Sequence, residues 1–88
     1  MYSFRWIDWN EEKVTRHGVT PEEVEHVVNH ARRPFPEQHG EKLFVAGPTA
    51  GGRWLQVIFV LDDSETAFVI HARPLNEAER KRFRKRSR

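Results

Sequence analysis

The chain has 88 residues, 38% of them apolar and 32% charged, which is enough for one domain and leaves nothing for a second core, because a chain of this size buries only about 60% of its unfolded surface. The mean hydropathy of -0.76, with no run near the roughly 20 apolar residues of a membrane span, excludes a transmembrane helix, and a chain without cysteine has neither a disulfide frame nor thiolate chemistry. The net charge of +2 conceals a split: residues 1–72 carry 7 Lys and Arg against 11 Asp and Glu, a balance of -4, whereas residues 73–88 carry 8 against 2, a balance of +6. That basic end can meet a polyanion or serve only as a solvated tail. No basic segment followed by an apolar one opens the chain, so no signal peptide is expected and a cytoplasmic location is.

In chain order, Phe4-Arg5-Trp6-Ile7-Asp8-Trp9 is short, aromatic and extended in pattern, and reads as a first strand. Asn10 can cap a following helix, with Glu11 and Glu12 in its positive first turn, Arg16 and His17 in its last turn and Gly18 closing it. Thr20-Pro21-Glu22-Glu23 opens a second helix with a reciprocal cap, and the apolar face of that helix is Val24, Val27, Val28 and Ala31. Pro34 and Pro36 end it, and a polar loop follows. Residues 42–46 form a second strand, and the glycine-rich residues 47–52 link it to a β-hairpin. The hairpin consists of residues 54–61 and 67–72 around the turn Asp62-Asp63-Ser64-Glu65. Pro74 stops the last strand, and Asn76, with Glu79 three residues on, caps a third helix through Phe83, past which residues 84–88 are expected to fray. The order β-α-α-β-β-β-α predicts a single α+β domain over 1–88, a largely antiparallel sheet with helices on one face and the other face open to a ligand.

Few constellations in the chain carry chemistry. Residues 47–53 approach the spacing of a phosphate loop, but Arg53-Trp54 leads into a strand instead of a helix and no Lys-Ser or Lys-Thr pair is present, so the glycines read as turn residues. His26 and His30 stand four apart on a helix, yet zinc needs a further fixed ligand that the pattern does not supply, so no metal or cofactor is expected. The run from Arg80 to Arg88 holds 7 cations in 9 residues around Phe83 and suits phosphate contact with little sequence information; Arg80, Lys81, Arg84 and Lys85 are the candidates to seat a nucleic-acid backbone. His71 and Arg73 share one face at the end of the hairpin. An imidazole suits proton transfer and a guanidinium suits a phosphate, the pair that RNA cleavage through the 2′-hydroxyl needs; equally, His71 can merely end a strand while Arg73 pairs with an acid such as Glu77.

Four stretches taken together resemble the BrnT-type toxins of bacterial type II toxin-antitoxin systems, within the RelE/ParE superfamily. They are Trp9-Asn10-Glu11-Glu12-Lys13, similar to the family's Trp-Asp-x-x-Lys; Arg16-His17-Gly18-Val19-Thr20 with Glu22-Glu23, similar to Lys-His-Gly-Val-Ser and an acidic helix; Gly51-Gly52-Arg53-Trp54-Leu55-Gln56-Val57; and Val69-Ile70-His71-Ala72-Arg73-Pro74 followed by Glu79-Arg80. The chain departs from the pattern at His71, where relatives often carry Ser, and at Phe83, where they often carry Tyr. The resemblance implies a RelE-like fold and a metal-independent ribonuclease that arrests growth, is neutralised by a cognate antitoxin protein and joins it on operator DNA. It also implies roles for His17, Arg53, Arg73 and Glu79, beside which His71 stands as a catalytic candidate on its own chemistry. The alternative is a non-catalytic module that only binds an antitoxin in a repressor complex, motivated by Phe83 and the acidic body; a third reading is nucleic-acid binding through the basic end alone.

Overall fold

The period-two alternation of side chains along a strand sets the two faces of the central hairpin. In a computed structural model, which describes residues 1–63 and 65–86 with side chains as far as residue 83, strand β4 (Trp54–Leu61) pairs antiparallel with β5 (Thr66–Pro74). Leu55, Val57 and Phe59 on β4 and Ala67, Val69 and Ala72 on β5 are fully buried on one face, the core face. Gln56 opposite Arg73, Ile58 opposite His71 and Val60 opposite Phe68 lie on the other, outer face. The turn between the strands is held by the Asp63 carboxylate, which accepts from the amides of Glu65 and Thr66 at 2.9 and 2.8 Å.

The register slips once. Ile58 pairs with His71 but the next residue, Phe59, pairs with Val69, so Ile70 is an extra residue, a β-bulge. Without it, strict alternation from Ala67 and Val69 would turn His71 into the core. With it, Val69 and Ala72, three apart, both face inward, and His71 and Arg73 face out.

Around the hairpin the elements run β1 (Ser3–Arg5), α1 (Asp8–Arg16), α2 (Pro21–Asn29), β2 (Glu37–His39), β3 (Lys42–Pro48), β4, β5 and α3 (Glu77–Arg86), in a five-stranded sheet ordered β1-β5-β4-β3-β2. Only β1 and β5 pair in parallel, so the α+β class and the largely antiparallel sheet are those expected. α2 is capped as its sequence predicts, Thr20 Oγ1 accepting from the Glu23 amide at 3.1 Å and Glu23 Oε1 from the Thr20 amide at 3.0 Å. Its Val24, Val27 and Val28 cover the core face. A methyl group added at Gly47 would lie 3.7 Å from Val27 Cγ1, so the helix rides close over β3 there.

Four details differ from the sequence reading. The first strand ends at Arg5, and α1 starts at Asp8 with Ile7 as N-cap, so Asn10 lies inside the first turn. Burial explains it: Asn10 is fully buried, its Oδ1 accepts from the Ile7 amide at 2.7 Å and its Nδ2 donates to the Arg5 carbonyl at 3.0 Å, pinning the strand-to-helix corner. α2 closes at His30, ahead of Pro34. The polar segment at Glu37–His39 forms an edge strand, because Gly40, at φ 64°, turns it back onto Lys42–Phe44. Finally, α3 leaves the common helix layer. Arg73 is drawn to Glu79, and Phe83 comes within 5.8 Å of Phe35, over a cavity of about 260 Å³ bordered by the outer-face residues Phe44, Ala46 and Gln56. One helix therefore crosses the face expected to be open, and it continues to Arg86, past the end expected at Phe83, so residues 84–86 are helical where fraying was expected, while residues 87 and 88 lie outside those described.

β1 is only three residues long and pairs with Thr66–Phe68, so α1 takes its place along the rest of β5. One side of α1 then reaches the core through Val14, and another reaches the outer face, where Trp9 stacks on Phe68. Replacing Asn10 with Ala empties a fully buried side-chain site and removes a partner from the part-buried Ile7 amide and Arg5 carbonyl; the expected cost is about 2 kcal/mol, read as a fall of about 10 °C in Tm by calorimetry.

Candidate functional site

The residues able to do chemistry meet where α1 runs beside the outer face of β5. His17 is the C-cap of α1, its amide bonded to the Val14 carbonyl, and Gly18 at φ 74° turns the chain away behind it. From β5 the bulge delivers His71 toward it, and the two imidazoles stand edge to face with centroids 5.6 Å apart and planes at 68°. Burial first, and then the positive charges of His17, Arg73 and Lys13, holds His71 below its ordinary value of 6.5. His71 is thereby kept as neutral imidazole, the form that accepts a proton, whereas His17 is exposed to solvent.

Arg73 points from the same face and is engaged on both prongs. Nη1 donates to Glu79 Oε1 at 3.0 Å and Nη2 to Oε2 at 2.7 Å, and Nη1 also reaches the Pro74 carbonyl at 3.1 Å. The acid is Glu79, not Glu77. Glu79 is positioned by the cap that its sequence predicts, since Asn76 Oδ1 accepts from its amide at 2.8 Å and the Asn76 amide donates to Oε1 at 3.1 Å. The Arg73 fork, and then the Asn76 amide, hold the Glu79 carboxyl down to about 2, and Glu79 in turn raises Arg73.

Arg53 lies at the same end of the hairpin as Arg73 but turns toward a different layer. Its Nη2 donates to Glu23 Oε1 at 2.8 Å and to the Gly18 carbonyl at 2.9 Å, tying the start of β4 to the α1–α2 turn. Of the expected site residues, His17, His71, Arg73 and Glu79 come together; Arg53 approaches through the residue next to His17 and is held by α2. Arg80 and Lys81 are exposed on the first turns of α3, and the side chains of Arg84 and Lys85 lie outside the described residues.

Sequence reasoning missed a row of partners on α1. Trp9, Lys13 and His17 are four apart, so they form one stripe, and the stripe faces Phe68, His71 and Arg73. Trp9 lies nearly parallel to Phe68, with centroids 6.0 Å apart and planes at 9°; Lys13 Nζ is 4.7 Å from the Trp9 ring centroid, and the Arg5 guanidinium is 4.3 Å from that of Phe68. Arg5 also pairs with Asp62 at 2.6 Å, whereas Lys13 has no carboxylate partner among the described residues. The i, i+4 spacing was visible in the chain, but its opposite row was not. Among the described residues no three His, Asp or Glu side chains gather as a metal-holding group.

Because the folded protein holds His71 neutral to lower pH than the unfolded chain does, the unfolded state takes up this proton first as pH falls. The contribution is complete above about pH 6.5 and is lost as pH drops through the folded value. His71→Asn is expected to flatten the stability loss just below pH 6.5, measured by denaturant unfolding across pH, and to leave intact the acid limb between about pH 4.5 and 2, where Glu79 gives up its stabilising charge. No protein-family model matches the chain, and no match was found among curated proteins or solved structures.

Proposed function

We propose that the chain is an RNA endonuclease that works without a metal, acting in the cytoplasm as the toxin of a type II toxin-antitoxin pair. The observation that carries this reading is the His17–His71 pair at 5.6 Å, flanked by Arg73 and Lys13 on one face. In such a reaction neutral His71 takes the proton of the ribose 2′-hydroxyl, and the 2′-oxygen attacks phosphorus. The bond to the 5′-oxygen then breaks, and His17 serves as the acid that supplies the proton this oxygen needs, leaving a 2′,3′-cyclic phosphate and a 5′-hydroxyl. Arg73 and Lys13 offset the charge that grows on the phosphorane. Arg53 is available to a flanking phosphate, and Arg80, Lys81, Arg84 and Lys85 seat the RNA backbone. Glu79 orients Arg73 instead of moving a proton, since a carboxyl held at about 2 is a poor acid or base near neutrality. Neutralisation by a cognate antitoxin, and operator binding together with it, rest on the resemblance alone; no helix of the described residues is long and apolar enough to cross a membrane.

A second reading is a non-catalytic module that only binds an antitoxin. It is favoured by the Arg73 fork, whose prongs are already taken by Glu79 and the Pro74 carbonyl, and by Phe83, which packs near Phe35 and brings no phenol to the site.

Purified protein is expected to cut RNA in EDTA and to leave cyclic phosphate ends. Arg73→Ala should abolish both cutting and growth arrest, and His71→Ala should slow cutting about 10²- to 10⁴-fold. Cleavage that stops in EDTA, or an Arg73→Ala protein with full activity, overturns the mechanism; expression without any partner that leaves growth and bulk RNA unchanged favours the binding module.

A further inference from the structure

Trp9 is a large aromatic that the fold leaves half outside: 50% of it is exposed, while its ring is held parallel to Phe68. Half-exposure is ordinary for a tryptophan; what singles this one out is that its ring is held parallel to a second ring, with a cation against each of the two rings. The bracing comes from both rows of the site. Phe68 stands on β5 three residues before His71, and Arg5, on β1, lies over it at 4.3 Å. Lys13 lies 4.7 Å from the Trp9 ring on one side of its reach, and its charge acts on His71 on the other.

We infer that the exposed indole of Trp9, backed by Phe68, is a stacking platform for one unpaired RNA base, from which the strand runs past Lys13 to the histidine pair. The class of ligand rests on the RNA reading given above. Every base has a π face, so a rigid ring flanked by cations holds single strands with little regard to sequence. Charge complementarity selects the occupant: Lys13 has no carboxylate partner among the described residues, and its four-carbon arm lets a base slide onto the indole while the ammonium moves to an adjacent phosphate. The geometry also sets the direction. Trp9, Lys13 and His17 follow one another at about 6 Å per step along α1, so the base sits about 12 Å from the proton-transfer pair. A paired base keeps its faces inside the duplex, which makes the platform a filter for unpaired RNA.

A short unpaired 2′-fluoro oligoribonucleotide, which lacks the attacking hydroxyl, tests binding apart from cleavage. Wild-type protein is expected to bind it and to bind its duplex much more weakly. Trp9→Ala should weaken binding of the single strand about five-fold to a hundred-fold, and Trp9→Tyr by no more than about three-fold. Lys13→Met should lower the slope of log affinity against log salt by about one. If Trp9→Ala does not fold, Trp9→Leu keeps an apolar cover on Phe68 without a π face and should bind as weakly as Ala is expected to. The inference is overturned if wild type does not bind the strand, if a natively folded Trp9→Ala or Trp9→Leu protein binds as tightly as wild type, or if Trp9→Tyr loses as much as Trp9→Ala. A protein that leaves ordinary RNA uncut yet binds the 2′-fluoro strand through Trp9 retains the platform and fails the nuclease reading. One that cuts RNA with KM and binding unchanged in Trp9→Ala does the reverse.

Discussion

Ile70 has no partner of its own on β4, and most of what is distinctive about this molecule follows from that one surplus residue. A bulge changes the phase of a strand, so the residues after it exchange faces relative to those before. Here the exchange lets Ala72 complete the core under α1 and α2 while His71 and Arg73 turn outward. Had the ladder continued unbroken, an imidazole would have to enter a core made almost wholly of valine, alanine and phenylalanine, where its polar atoms would lack partners. The hydrophobic core and the reactive corner are therefore two results of the same shift in register.

The electrostatics of that corner are graded. Both arginines near it are held by carboxylates, Arg73 by Glu79 and Arg53 by Glu23, and each of these glutamates is also half of a helix cap. Helix starts and site cations are thus fastened by the same side chains. Substituting either glutamate would loosen a helix terminus and release a guanidinium together, so a loss of function there would not by itself identify a catalytic acid. Lys13, which has no carboxylate partner among the described residues and rests against the Trp9 ring, adds positive charge beside His71.

Local chemistry made much of this readable in advance. The caps at Thr20 with Glu23 and at Asn76 with Glu79 follow from a few neighbouring residues, and the hairpin from alternation over eight or so. What escaped was set by burial and by which segments the fold lays side by side, near or far in sequence. Asn10 has the composition of a cap, but burial at the β1–α1 corner gave it two backbone partners and moved it inside the helix. Glu37-Gln38-His39 has no preference for a strand and becomes one because Gly40 returns it to Leu43 and Phe44. The pairing of His17 with His71, and of Trp9 with Phe68, depends on a helix lying along a strand more than fifty residues away, which no local spacing can express. The side of the sheet that α3 covers is fixed in the same way by Phe83 meeting Phe35, more than forty residues away.

The shortness of β1 has an effect beyond making room for α1. The outermost strands, β1 and β2, are three residues each, and the long strands β3, β4 and β5 are all interior to the sheet. Where β5 runs past β1, a helix lies beside it in place of a strand, and helices do not offer the row of unpaired amides and carbonyls on which a foreign strand assembles. A chain whose longest strands are this apolar would otherwise be prone to join its copies edge to edge. The arrangement that brings His17 to His71 is thus also one that sets a helix where β5 would otherwise offer its edge to a second strand.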